Sequence, residues 1–251
     1  MNKFNENLID HCHFCNDRGF VIRKGLAYPC SCVEKKVKAK RFSQANLGWL
    51  QTQCTFENFS LKYYKGVGGQ IGAHENYYKN AQIALNAAKE FAEKFSKGNY
   101  KGQGLLFTGS VGSGKTFLAS AIANYCLNKN KQVLFTVVPD LLDEIKATYD
   151  RNNPNNIDES IILNQARTAE LLILDDLGVH NYTDWTVNKI YSILNYKVNN
   201  QMPVIITTNL NLAELDTYLG ERTTSRVLQL CKVYRLSNKE DIRYLKSREQ
   251  N

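Results

Sequence analysis

From residue 77 onward the chain switches between two hydrophobic rhythms. Residues 77–95 place Ala81, Ala84, Leu85, Ala88, Phe91, Ala92 and Phe95 at helical spacing, and Gly98, Gly102 and Gly104 break that pattern. The run Leu105-Leu106-Phe107-Thr108 predicts a short buried strand, and residues 115–128 predict a helix. Residues 132–138 predict a strand ended by Pro139, and Asp140 is expected to cap a helix over 140–149. A polar loop at 151–156 leads into a helix over 159–169. A strand over 171–174, an amphipathic helix over 184–199 and strands over 204–207 and 233–236 complete the pattern. The strands are continuously apolar rather than alternating, as strands covered on both faces are. The expected fold class is therefore α/β, a central parallel five-stranded sheet flanked by helices.

The first third of the chain follows neither rhythm. Residues 1–45 carry Cys12, Cys15, Cys30 and Cys32 and end in the basic run Lys35-Lys36-Val37-Lys38-Ala39-Lys40-Arg41. Residues 46–76 read as a connector with a glycine patch, Gly66-Val67-Gly68-Gly69, and 77–251 form the α/β domain. A chain of 251 residues has room for one good-sized core and a small appendage. A hydrophobic content of 43% excludes wholesale disorder. No apolar run approaches the roughly 20 residues of a membrane span. Residues 1–10 are polar and mixed in charge, unlike a signal or transit peptide, so a soluble cytoplasmic protein is expected. The net charge of +8 is compatible with a nucleic-acid partner without requiring one.

Gly109-Ser110-Val111-Gly112-Ser113-Gly114-Lys115-Thr116 matches G-x-x-x-x-G-K-[ST] in full, with a predicted strand before it and a helix after it. Such a loop turns consecutive N–H groups toward one concavity, and the helix N-terminus adds partial positive charge under the phosphates. Lys115 is expected to reach the β- and γ-phosphates of ATP, and the Thr116 hydroxyl to bind Mg2+. The apolar strand Leu171-Leu172-Ile173-Leu174 ends in Asp175-Asp176. Asp175 is the expected Mg2+ ligand, through water, and Asp176 is placed to polarise the attacking water.

The strand before Asn209 ends in small polar residues that could hold a lytic water, although Asn209 could instead cap the helix at Leu212. Arg222 and Arg226 lie four apart on one helix face, where either could act on a neighbouring subunit's phosphate or pair with Glu221 or Glu214. Arg243 has the same two readings.

Cys12-x-x-Cys15 and Cys30-x-Cys32 are two chelating pairs. Seven cysteines with no secretory signal argue for metal rather than disulfides. Four thiolates suit a closed structural Zn2+ site, with His11 and His13 as possible substitute ligands; reduced buried cysteines or an iron–sulfur cluster are the alternatives.

Taken together the motifs resemble the DnaC/DnaI-type replicative helicase loaders of the AAA+ superfamily, close to the IstB transposition helpers. The resemblance rests on Thr55-Phe56-Glu57-Asn58-Phe59, the loop 109–116, Val137-Val138-Pro139-Asp140-Leu141-Leu142, Leu174-Asp175-Asp176-Leu177-Gly178, Thr207-Thr208-Asn209, Gly220-Glu221-Arg222 to Arg226, and Asp241-Ile242-Arg243. It implies an AAA+ ATPase in which Asn209 is sensor 1, Arg226 the arginine finger with Arg222 beside it, and Arg243 sensor 2 acting in cis. It further implies self-association in a ring or spiral with the finger in trans, and a hexameric helicase placed on single-stranded DNA. The N-terminal zinc module would dock on that helicase.

Two departures point to a slow switch rather than a motor: Asp175-Asp176 stands where most AAA+ proteins have Asp-Glu, and little chain follows Arg243 to form a helical lid. In initiator-type relatives a helix inserted before the acidic strand lines a single-strand channel. Lys146, Arg151 and Arg167 are the candidate phosphate contacts there. The run 35–41 reads either as a solvated helix face or as a phosphate- or helicase-contacting one. An IstB-like transposition helper and a non-hydrolysing ATP-binding adaptor are the alternative functions.

Overall fold

The structure is a computed structural model and describes residues 11–48, 52–65, 73–98, 100–149, 158–178 and 182–249. The glycine patch at 66–69, the polar loop at 151–156 with its Arg151, and the N-terminal ten residues lie outside the described residues.

Five strands form one parallel sheet: β3 (Gly104–Thr108), β4 (Val133–Val137), β5 (Leu171–Asp175), β6 (Val204–Thr208) and β7 (Cys231–Arg235), in the order β4-β5-β6-β3-β7. Every neighbouring pair is parallel. Along each strand the side chains alternate between two apolar layers. Leu105, Phe107, Ile173 and Ile205 face one layer with Phe91, Phe95, Leu118 and Ile122. Leu106, Leu172, Leu174 and Ile206 face the other with Leu142, Ile145, Ile190 and Leu194. Helices α2 (Ala73–Ser96) and α3 (Lys115–Asn128) supply the first layer; α4 (Val138–Ala147), α5 (Glu159–Thr168), α6 (Asp184–Asn199) and α7 (Leu212–Leu230) supply the second. Burial on both faces is why the inner strands are largely apolar, whereas the edge strand β7 exposes Lys232 and Arg235. A last helix, α8 (Ile242–Glu249), follows β7. Among the described residues no helix is long and apolar enough to cross a membrane.

Three local expectations are corrected. β4 stops at Val137, and Val138 already belongs to α4, whose cap is Val137. Pro139 therefore opens the helix instead of ending the strand, since a first-turn residue has no intrahelical N–H bond to lose. Asp140 lies in that first turn, near the positive end of the helix, and is not the cap. Asn209 caps nothing: α7 is capped by Asn211, which exchanges hydrogen bonds with Glu214 in a capping box. Within α7, Gly220 leaves helical geometry (φ 76°, ψ 156°), so Arg222 and Arg226 belong to the second of two helical pieces.

Ahead of the core lies an antiparallel ribbon, β1 (Phe20–Arg23) against β2 (Leu26–Pro29), followed at once by α1 (Ser31–Gln44). The apolar pattern predicts no strand here because both strands are short and mostly exposed. Helix α1 ends at Gln44, within the expected 1–45 segment, and its cap residue Ala45 packs on the α/β core. Ala45 is fully buried and its carbonyl accepts the Phe135 N–H at 2.9 Å, on the outer edge of β4. Phe42 and Leu47 pack on the same core, and Arg41 bonds to Asn130 after α3.

Candidate nucleotide site and cysteine cluster

The loop 109–116 leaves the C-terminal end of β3 and runs into α3, the place where open α/β sheets bind ligands. Gly114 takes the cap position of α3 in the left-handed conformation (φ 92°) and supplies no side-chain cap. The first N–H groups of α3 are thus left for an anion. Lys115 is nearly buried, and its Nζ donates to the Gly109 and Ser110 carbonyls at 2.9 and 2.7 Å. Burial draws its pKa down to about 8.

Strands β5 and β6 end beside the loop. The Thr116 hydroxyl donates to Asp175 Oδ1 at 3.0 Å, and the Thr207 hydroxyl donates to the same oxygen at 2.6 Å. Thr207 Oγ1 also accepts the Asp176 N–H at 3.0 Å. Burial lifts the Asp175 carboxyl to about 6, against the pull of these two hydroxyls. Asp176 is half-buried and held at φ +56°, a left-handed conformation that costs a non-glycine residue on the order of 1 kcal/mol. A carboxylate and a threonine hydroxyl in contact at the mouth of a phosphate loop are the oxygen donors a Mg2+ ion takes. Asn209 is half-buried just beyond β6, where the Thr108 hydroxyl fixes the neighbouring Leu210 carbonyl at 2.6 Å.

The C-terminal segment reaches the same loop. The Ile242 N–H donates to the Gly112 carbonyl at 3.0 Å, and the Asn238 N–H to Ser110 Oγ at 3.2 Å. This seats α8 on the loop and brings exposed Arg243 beside it, with Asp241 as its nearest carboxylate (3.8 Å). Arg226 bonds to Gln229 of its own helix, and Arg222 is exposed. Among the described residues neither is in an ion pair, and neither bonds to the phosphate loop. Tyr64, which donates to the Ser113 carbonyl, completes the site and was not singled out by the sequence; Thr207, named there only within Thr207-Thr208-Asn209, bonds Asp175.

The four cysteine sulfurs lie within 4.8 Å of one another, with Cys12–Cys30 at 3.7 Å and Cys15–Cys32 at 3.3 Å. A tetrahedron of thiolates about 2.3 Å from Zn2+ has sulfur–sulfur edges of about 3.8 Å, so the donor set fits that ion. The Cys15 N–H beside the Cys12 sulfur draws that thiol down to about 6, while hydrogen bonding with Cys15 pushes Cys32 up to about 12. His11 is not in the cluster: its Nδ1 bonds to Asp17, which also holds Lys36, and His13 stacks edge-on against His11. Within the basic run, Lys36 and Arg41 are thereby engaged, and Lys35, Lys38 and Lys40 are exposed.

Of the three insertion cations, Arg167 is half-buried and donates to Ser192 on α6, so it braces α5. Lys146 is exposed, 3.6 Å from Asp143.

Comparison with known proteins points the same way. The profile of the family described as IstB-like ATP binding protein matches residues 95–248. A replicative helicase loader DnaC from Buchnera aphidicola subsp. Baizongia pistaciae (strain Bp) is 30% identical over 194 residues, 77% of this chain and 71% of that one. The crystal structure of the DnaC helicase loader superposes with a TM-score of 0.59 at 25% identity, covering 75% of this chain and 99% of that one. AMPPCP-bound DnaA from Aquifex aeolicus shares the fold, with a TM-score of 0.59 at 20% identity over 81% of this chain and 56% of that one.

Proposed function

Because the chain belongs to the IstB-like ATP-binding family, we propose that it is an ATP-dependent loader of a hexameric replicative helicase onto single-stranded DNA. The observation that carries the nucleotide half of this reading is the Thr116–Asp175 contact at the open end of a complete phosphate loop. The helicase half is carried by the likeness to the DnaC loaders.

In this reading Lys115 leaves the two loop carbonyls that now hold it and neutralises the β- and γ-phosphates. The backbone of 109–116 cradles the polyphosphate. Thr116 and Asp175 would hold Mg2+, which draws charge off the phosphate oxygens when bound. Asp176 accepts the proton side of the attacking water, and Asn209 holds that water's other face. Arg243 contacts phosphate within the subunit. Arg226, with Arg222 beside it, completes the site of the next subunit in a ring or spiral. A short Asp176 in place of glutamate reaches less far toward the water, which favours a slow switch over a motor. Cys12, Cys15, Cys30 and Cys32 would hold Zn2+ as a structural ion, and the module they form docks on the helicase. Lys146 and Arg151 remain the candidate phosphate contacts of the insertion.

The test is copurification of the full chain with a replicative helicase, together with steady-state ATPase measured with and without single-stranded DNA. Recovery of a transposase in place of a helicase would favour the IstB-like transposition helper. Helicase binding with no turnover would favour the adaptor.

A further inference from the structure

The connector reaches the nucleotide site through Tyr64 and Phe59. Tyr64 ends a 3-10 turn, Leu61–Tyr64, is 1% exposed, and its hydroxyl donates to the Ser113 carbonyl oxygen at 2.5 Å. Its ring stacks on Phe59 (5.7 Å between centroids, 30° between planes), and Phe59 meets Phe117 on the first turn of α3 at 5.7 Å. A Cβ added to Gly114 would lie 2.7 Å from the tyrosine oxygen, so the tyrosine requires glycine there in addition to the φ of +92°.

A trans peptide is a rigid plane whose C=O and following N–H point in opposite directions. Holding the Ser113 carbonyl against the connector therefore turns the Gly114 N–H the other way, to the side of the loop away from Tyr64. We infer that Tyr64 is a positioning residue for the phosphate nest: its hydroxyl fixes the Ser113–Gly114 peptide so that the Gly114 N–H faces a bound polyphosphate. Without that anchor the peptide is free to flip, and the nest loses one aligned donor. Burial raises the phenol's pKa, which keeps it a donor at neutral pH and above.

The anchor is itself braced. Asn238 donates to the Tyr63 carbonyl at 2.8 Å, and Lys62 and the Tyr63 hydroxyl both reach Glu249 at 2.8 Å. The connector is thus tied to the C-terminal segment that contacts the loop at Ser110 and Gly112.

The inference rests on the reading of 109–116 as an ATP site. It is tested with Tyr64→Phe in the full chain, which keeps the ring and removes only the hydroxyl. The dissociation constants of ATP, ADP and AMP are measured by calorimetric titration, and Tm is measured without nucleotide. ATP and ADP are expected to bind about fivefold to tenfold more weakly, the worth of one neutral hydrogen bond. AMP affinity is expected to be unchanged, and the nucleotide-free Tm to move by less than about 3 °C.

Unchanged ATP and ADP affinity overturns the inference. So does an equal loss for AMP, which would assign the tyrosine to the base or ribose, or a large fall in Tm, which would make the hydroxyl a support of the fold. A wild-type chain that fails to bind ATP overturns the nucleotide site itself and is read from the unmutated protein.

Discussion

Thr207 joins both acidic residues through one oxygen, donating to Asp175 Oδ1 and accepting the Asp176 N–H. Thr207→Val removes both bonds while keeping the shape. It is expected to lower ATP turnover about 100-fold, the scale seen when one preorganised donor is lost from an active site. ADP affinity in the absence of Mg2+ should change by less than about threefold, because the phosphate cradle is untouched. Thr207→Ser should restore most of the rate, and steady-state kinetics with equilibrium titration separates the two effects.

Lys197 offers a second test at this scale. It is fully buried with Nζ donating to the Ala169 carbonyl, and burial draws its pKa down to about 7. In the unfolded chain a lysine holds its proton up to about 10.4. Between about pH 7 and 10 the unfolded state therefore binds more protons, and stability rises with pH. Lys197→Met should flatten that rise in urea midpoints measured from pH 7 to 10. A variant that climbs as steeply as the wild type would assign the titration to another group. The meeting of Lys115, Thr116 and Asp175 was legible because each sits in a compact motif, although Thr116 and Asp175 are 59 residues apart. The contacts of Thr207 and Tyr64 were not, since neither a motif nor a periodicity ties either side chain to its partner.

At the scale of elements, the inner strands of the large sheet were legible because two apolar layers cover them, whereas β7 at the edge exposes Lys232 and Arg235. The ribbon β1–β2 was not, because nothing among the described residues covers it: Ile22 is 68% and Leu26 62% exposed. Two strands of four residues do not hold together unaided, so on the proposed reading the ribbon depends on a metal ion held by the four cysteines. Metal analysis of the purified chain should return about one Zn2+ per chain for a site of four thiolates. Chelation, or Cys30→Ser, should open residues 11–30 to protease while ATP binding persists; loss of both together would mean that the metal also supports the core.

Helix α8 carries another element-scale expectation. A Cβ on Gly112 would fall 2.0 Å from the Asp241 carboxylate carbon, at a backbone φ of +68°. Gly112→Ala should push α8 off the loop and weaken ATP binding by tenfold or more, an effect of about 1.4 kcal/mol or above. Calorimetric titration would show it.

For the whole molecule, the decisive question is whether one chain can be a complete ATPase. Arg226 bonds only to its own helix, and no arginine finger closes the loop from within the described residues. Lys115→Ala and Arg226→Ala should each abolish turnover. An equimolar mixture of the two should regain about a quarter of the wild-type rate, the fraction of interfaces that pair an intact loop with an intact arginine. A mixture as inactive as its parts would place the arginine in cis or outside the mechanism.

The bond between the Ala45 carbonyl and the Phe135 N–H bears on how the protein can be divided. It occupies the open edge of β4, the outermost strand on that side of the sheet. A fragment cut after residue 45 to isolate the ATPase would bare that edge and the pocket that Ala45 fills. Unpaired strand edges recruit other strands. Such a fragment should therefore precipitate or form open-ended aggregates, while one beginning ahead of α1 should stay dispersed.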